Sequence, residues 1–293
     1  MKAWFLALRP KTLPAAVVPV WMGNLPVLAA VPEGQQFSWL FFWATLLSCL
    51  CIQIATNLFN DAIDAQKGAD TAMRLGPRRV TATGMLTPRA VMHGAIGFCA
   101  LAALLAAPLI LSRGGIIVAI GAVSLLLAYG YTGGPYPLAY KGMGELFVIL
   151  FFGLVAVGGS YYAQSGQAPG AAEWIVALQV GFYSTVLIAV NNFRDRREDE
   201  DTGKQTLAVR FGGRFARWEI AFFCFSPALL GLAGLQLGEW RLALPAALVL
   251  PLSLRIVLGV FRTMEPSREF NRFLALSGLQ LLVFAGVSTL LRL

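Results

Sequence analysis

Apolar residues run along this chain in blocks of about twenty, separated by short polar interruptions. A helix crosses the hydrocarbon of a bilayer in about 17–25 residues. On that measure the blocks predict nine spans, near 12–31, 38–59, 91–111, 115–131, 144–163, 172–193, 218–237, 241–260 and 271–291. Only Ser112, Arg113 and Gly114 separate the third from the fourth. Inside lipid every backbone polar group needs an internal partner, so each block is expected to be a helix. The ten-residue alternating segments of a β-barrel are absent. The expected fold class is an all-α integral membrane protein with about nine transmembrane helices, in a single domain over residues 1–293.

Composition agrees with the pattern. The 293 residues are 57% hydrophobic and 13% charged, and the mean hydropathy is +0.68. A soluble domain carries about a quarter charged residues, so an ordinary cytosolic enzyme and a disordered chain are excluded. The net charge of +8 is not a nucleic-acid signal here. With the N-terminus inside, 19 of the 23 basic residues fall on the cytoplasmic side and three on the other, as the positive-inside rule requires. There they also meet anionic lipid. The expected location is the cytoplasmic membrane, multi-pass, with the N-terminus in the cytoplasm. Cys49, Cys51, Cys99 and Cys224 all lie in apolar blocks and read as packing residues. No cleavable signal peptide is apparent, because Arg9, Pro10 and Lys11 interrupt the first apolar residues.

Two cytoplasmic connections are long, about 60–90 and 194–217, and together hold eight of the fifteen acidic residues. Long loops in compact proteins are usually functional. The first opens with Asn60, Asp61, Asp64, Lys67, Gly68 and Asp70; the second with Asn191, Asn192, Arg194, Asp195, Glu198 and Asp199. Aligned, Asn60-xxx-Asp64 repeats as Asn191-xxx-Asp195, an amide and a carboxylate one helical turn apart. Residues four apart share a helix face. Extended backwards, one face carries Gln53, Asn57 (or Thr56), Asn60 and Asp64, and the other Gln179, Tyr183, Leu187, Asn191, Asp195 and Asp199. Such polar stripes are unfavourable against lipid and are expected to line a cavity.

Clustered carboxylates without His or Cys suit Mg²⁺, which completes its octahedron with water and substrate phosphates. Lys67, Arg78 and Arg79 flank the first motif, and Arg194, Arg196, Arg197 and Lys204 the second. Carboxylates for a metal beside Arg and Lys for phosphate oxygens are what a diphosphate ester requires. Asn60, Asp64, Asp195 and Asp199 are the expected metal and catalytic residues; Glu198, Glu200 and Asp201 read as solvated charge.

These segments resemble the UbiA superfamily of membrane-bound prenyltransferases, and within it the branch acting on 1,4-dihydroxy-2-naphthoate. The resemblance runs from Arg9-Pro10-Lys11-Thr12-Leu13-Pro14 to beyond Gly212. It is most specific over Asn57–Asp70 and Asn191–Arg210, and extends to Tyr131-Thr132-Gly133-Gly134-Pro135-Tyr136-Pro137 and Gly142-Met143-Gly144-Glu145. Many members carry Asp where this chain has Gly68; here Asp70 follows two residues later. The resemblance implies helices around a central cavity open toward the bilayer. It also implies transfer of a polyprenyl group from polyprenyl diphosphate to 1,4-dihydroxy-2-naphthoate, with loss of diphosphate and CO₂, giving a demethylmenaquinone-type lipid. Carried over, Asn60, Asp64, Asp195 and Asp199 would bind Mg²⁺, with Asp61 and Asp70 as further candidates.

Substrate contacts are expected from Arg9, Lys11, Arg78, Arg79, Arg194 and Lys204, and from the amides Gln53, Asn57 and Asn191. Tyr131, Tyr136 and Tyr140 offer π faces to the ring or the cation, and Lys141 and Glu145 are expected at the cavity. Two alternatives stand beside this reading. One is a related prenyltransferase for 4-hydroxybenzoate or homogentisate. The other is a secondary transporter, which a weak repeat and polar stripes also suit, although its site would lie nearer the midplane.

Overall fold

The computed structural model describes residues 2–30, 36–68, 75–76, 79–263 and 265–293. Asp70 and Arg78 lie outside them. Among the described residues the chain is helical, without strands. In order the helices are α1 (Lys2–Ala7), α2 (Pro14–Ala29), α3 (Trp39–Gln66), α4 (Pro88–Leu105), α5 (Ala107–Arg113), α6 (Gly115–Gly130), α7 (Gly144–Val148), α8 (Gly159–Ser165), α9 (Ala171–Asp201), α10 (Leu207–Gln236), α11 (Trp240–Arg262) and α12 (Phe270–Leu290). A π-helical stretch, Ile149–Gly158, joins α7 to α8 as one rod.

Each of the nine sequence-predicted stretches falls on helix, but length and apolarity support seven or eight crossings. α1 with its following turn and α2 make one crossing only if taken together, bent by 49°. The bend falls at Leu13, between the two pieces, and the first piece itself turns at Arg9, whose φ of 51° is left-handed. α6, at 16 residues, is shorter than each of the seven helices long enough to cross alone. The predicted third span breaks at Ala106, where Pro108 in the first turn of α5 supplies no N–H to α4.

The two long connections expected on the cytoplasmic side are shorter than the sequence implies. α3 runs on to Gln66 and α9 to Asp201, so both acidic motifs are helical. Hydropathy marks where a helix leaves lipid, not where it ends. α10 likewise starts at Leu207, with a break at Gly212 (φ 80°) before its apolar part.

α9 is the most enclosed of the candidate spans and packs against α10, the π-helical stretch, α12 and α2. Val180, Tyr183, Val186, Val190 and Phe193 on it are fully buried. Packing in lipid depends on close backbone approach. Gly153 and Gly181 face each other, and a Cβ on Gly153 would stand 2.6 Å from the Ala177 carbonyl. The bundle closes on itself: Trp21 of α2 donates to Thr289 of α12 at 2.8 Å. Leu104, Leu111, Leu126 and Leu229 stay exposed, as expected of side chains that face acyl tails.

Candidate active site

A cavity of about 1430 Å³ opens between the N-terminal segment, α3, the π-helical stretch, α9 and α12. The tips of α3 and α9 meet at its polar end. Asp64, on the last turn of α3, is fully buried. It accepts from Arg79 Nη2 at 3.0 Å, Lys204 Nζ at 3.1 Å and Tyr140 Oη at 2.8 Å. Lys204 lies 3.9 Å from Asp199, and its backbone N–H donates to the Asp199 carbonyl at 2.8 Å. One ammonium, 140 residues along the chain from Asp64, therefore joins the first acidic motif to the second.

On α9, Arg194 is 1% exposed and grips Asp195 with two bonds of 2.7 Å. The same guanidinium donates to Asn191 at 2.5 Å and to Asn271 of α12 at 2.8 Å. Asn271 in turn donates to the Leu75 carbonyl at 3.1 Å. The next residue, Gly76, lies so close that a Cβ there would stand 2.5 Å from Arg194 Nη2. Because five bonds around Arg194 fix that atom's surroundings, Gly76→Ala is expected to destabilise the protein by about 1–3 kcal/mol. Thermal unfolding in detergent checks this.

Asn60, Asp61, Asp195, Asp199, Arg9, Lys11, Gln53, Asn57, Arg79, Asn191, Arg194, Lys204 and Tyr131 all border the cavity. Asp64 sits behind that wall, covered by its three donors. Asp61 is committed to Thr81, which donates to its carboxylate at 2.5 Å; this buried pairing marks it as a support of the turn. Asn57 ties α3 to the N-terminal segment through Leu8 O and Thr12 Oγ1. Tyr140 reaches the site through Asp64, and its ring lies 4.0 Å below the Lys67 ammonium.

Several expectations are corrected. Tyr136 and Lys141 are exposed and stack on each other at 5.7 Å, carried outward by a loop that turns at Gly134 and Gly142, both at positive φ. Arg197 pairs with Glu265 at the surface. Gln179 and Tyr183 leave the polar stripe: Gln179 donates to the Pro227 and Leu242 carbonyls, and Tyr183 packs on Phe284. Steps of four residues advance about 400°, so a stripe of this spacing drifts about 40° per step. Asn271, Thr81 and the Leu75–Gly76 contact were not foreseen. Asn271 is a lone amide at the start of an apolar block, with no motif around it.

Burial pushes the Tyr131 phenol above its usual range, and the charges of Glu145, Asp64 and Asp199 push the same way. It stays a protonated donor. Burial holds the Lys67 ammonium below the ordinary lysine range, with Lys204 adding to the effect and Asp64 opposing it. The polar end is thus a set of carboxylates and cations that neutralise one another at the mouth of an apolar chamber. It has the parts to hold a polyanion with a divalent cation while an apolar tail lies alongside.

Comparisons with known proteins identify the family. Residues 16–280 match the model of the UbiA prenyltransferase family. The chain is 35% identical over 292 residues to the 1,4-dihydroxy-2-naphthoate octaprenyltransferase of Mycobacterium tuberculosis, covering 96% of this chain and 94% of that one. It is 31% identical over 280 residues to the protein of the same name from Haemophilus influenzae, covering 91% and 88%. Among solved structures it resembles an apo UbiA homolog from Aeropyrum pernix K1 (TM-score 0.71, 15% identity, 97% of each chain). It also resembles an Archaeoglobus fulgidus UbiA homolog bound to GPP and Mg²⁺ (TM-score 0.68, 16% identity, 98% and 99%). With near full-length matches in sequence, a shared helical fold and apolar helices long enough to span lipid, this integral membrane protein belongs to the UbiA prenyltransferase family.

Proposed function

We propose that the chain transfers a polyprenyl group from its diphosphate to 1,4-dihydroxy-2-naphthoate, releasing diphosphate and CO₂ and giving a demethylmenaquinone-type lipid. The carrying observation is Lys204, which joins Asp64 and Asp199 at one end of a largely apolar cavity. The names of relatives 31–35% identical over most of the chain support the naphthoate acceptor. Residues 1–293 act as one domain. The basic residues gathered on one side support a cytoplasmic N-terminus and a site at the cytoplasmic face.

The donor set fits a hard cation. Asp195, Asp199 and Asn60 border the cavity and offer oxygen alone. Among the described residues no three His, Cys, Asp or Glu side chains gather to hold a metal, so water and phosphate oxygens would have to supply the remaining ligands of such an ion. Asn60, Asp195 and Asp199 would hold Mg²⁺, while Asp64, behind the wall, holds Arg79, Tyr140 and Lys204 in place instead of serving as the metal ligand the sequence suggests. When bound, Mg²⁺ neutralises the diphosphate and eases departure of the leaving group. Arg79, Arg194 and Lys204 supply N–H donors that match phosphate oxygens. The apolar wall keeps water from the allylic centre, so the electron-rich ring captures it and no protein nucleophile is needed. Ala102, Ala106 and Gly121 leave the chamber wide toward α4 and α6. There the tail stays in apolar surroundings, worth about 0.8 kcal/mol per methylene.

The test uses purified protein in detergent with MgCl₂, farnesyl diphosphate and 1,4-dihydroxy-2-naphthoate. Prenylated product and diphosphate are expected in step, and EDTA is expected to abolish both. Product from 4-hydroxybenzoate alone overturns the acceptor. Absence of diphosphate release with every acceptor overturns the enzyme and returns the case to transport.

A further inference from the structure

At the polar end Asp64, Asp195 and Asp199 are matched to cations, and Asp61 to the Thr81 hydroxyl. Glu145 is not. It opens the rod that borders the cavity, is 2% exposed, and belongs to the cavity wall. One carboxyl oxygen accepts from Asn192 Nδ2 at 2.7 Å. The other, Oε2, is buried and has no hydrogen-bond partner among the described residues. An unmatched buried carboxyl oxygen is costly, and in a ligand cavity it marks the place of a missing donor.

Three further features stand beside it. Tyr131 borders the same cavity, and its hydroxyl abuts Gly144, where a Cβ would stand 3.2 Å away. That hydroxyl makes no hydrogen bond among the described residues. The Tyr131 ring lies 5.1 Å from Phe147, and Phe147 stacks on Phe151 at 4.5 Å. All three rings line the cavity and offer a flat apolar wall. π-Helical turns of the kind that carries Phe151 recur at functional sites. Asn192, which orients Glu145, follows Asn191 of the second motif, so this wall adjoins the diphosphate end.

We propose that Glu145, Tyr131, Asn192 and the Phe147–Phe151 wall form the seat of the acceptor, a fused phenolic ring, with Glu145 Oε2 taking the proton of the ring hydroxyl. This rests on the function proposed above. As the hydroxyl proton moves to Oε2, the neighbouring ring carbon, which bears the carboxylate, bonds to the allylic carbon. The carbon–oxygen bond to diphosphate breaks, and diphosphate leaves with the electron pair. The ring is then a β-keto acid; loss of CO₂ returns the electrons to the ring oxygen, which takes the proton back from Glu145. Tyr131 donates to the acceptor and fixes its pose.

The test compares wild type, Glu145→Gln, Glu145→Asp and Tyr131→Phe, each with MgCl₂, farnesyl diphosphate and 1,4-dihydroxy-2-naphthoate. Gln keeps the bond from Asn192 but cannot take a proton. Glu145→Gln is expected to lower kcat about a hundredfold or more, with farnesyl diphosphate binding within about twofold of wild type. Glu145→Asp is expected to recover most of that loss. Tyr131→Phe is expected to raise KM for the naphthoate about five- to tenfold with kcat little changed. A Glu145→Gln protein within about threefold of wild type, or one that loses diphosphate binding in parallel, overturns the seat; if that variant does not fold, an unchanged naphthoate KM in Tyr131→Phe overturns it. A wild type that forms no product overturns the acceptor assignment itself, a result distinct from product formed equally by both.

Discussion

Asp64→Asn is expected to cut product formation on the order of a thousandfold while the protein stays folded. The carboxylate is fully buried and receives three protein donors. An amide of the same shape keeps the Tyr140 bond but removes the charge that balances Arg79 and Lys204. Two cations then stand together at the mouth of the cavity, and the link from α3 to Asp199 through Lys204 loosens. The empty variant is expected to unfold at lower temperature than wild type, and added inorganic diphosphate to restore more stability to it than to wild type. Product assay and thermal unfolding, with and without diphosphate, check both halves. Near-normal turnover in Asp64→Asn and also in Asp195→Asn removes both motifs from the chemistry.

The second large effect falls on stability. Arg194→Met keeps bulk but removes the guanidinium that Asp195, Asn191 and Asn271 share, each at 2.8 Å or less. Removing one partner of a buried pair costs about 3–5 kcal/mol. For a chain of this length that corresponds to a fall of about 10 °C in Tm. The double variant Arg194→Met with Asp195→Asn is expected to recover part of the loss, because the buried carboxylate charge that Arg194 balanced is removed with it. Thermal unfolding in detergent reads the cycle. An Arg194→Met protein that melts with wild type shows that the buried pair adds nothing net to stability.

Much of this architecture is legible in the sequence because lipid imposes a single strong rule, helices of about twenty apolar residues. The acidic motifs are legible for a related reason: Asn60, Asp64, Asn191 and Asp195 repeat a spacing that has no use against acyl chains. Legibility fails where a contact depends on which helices become neighbours. Asn271 carries no local signal of its bond to Arg194. Tyr136 and Tyr140 look equivalent in the sequence, yet a loop turning at two glycines sends one to the surface and the other to Asp64. The four-residue stripe on α9 was extended too far, since the face rotates away by Gln179. The cation partners also defeat a sequence reading: charges of both signs near a motif do not say which carboxylate is already taken, and Glu145 stands out only once its neighbours are known.

The hydrogen bond between Trp21 and Thr289, together with the hold of Asn271 on Arg194, has a consequence for synthesis. Ribosomes deliver this chain from its first helix to its last, yet α12 both seals the ring and completes the grip on Asp195. Until α12 has entered the bilayer, neither the pocket's floor nor its wall is finished. A nascent or truncated product lacking that final segment is therefore expected to be an inert precursor, one that does not open a diphosphate ester before the chamber around the allylic group is complete.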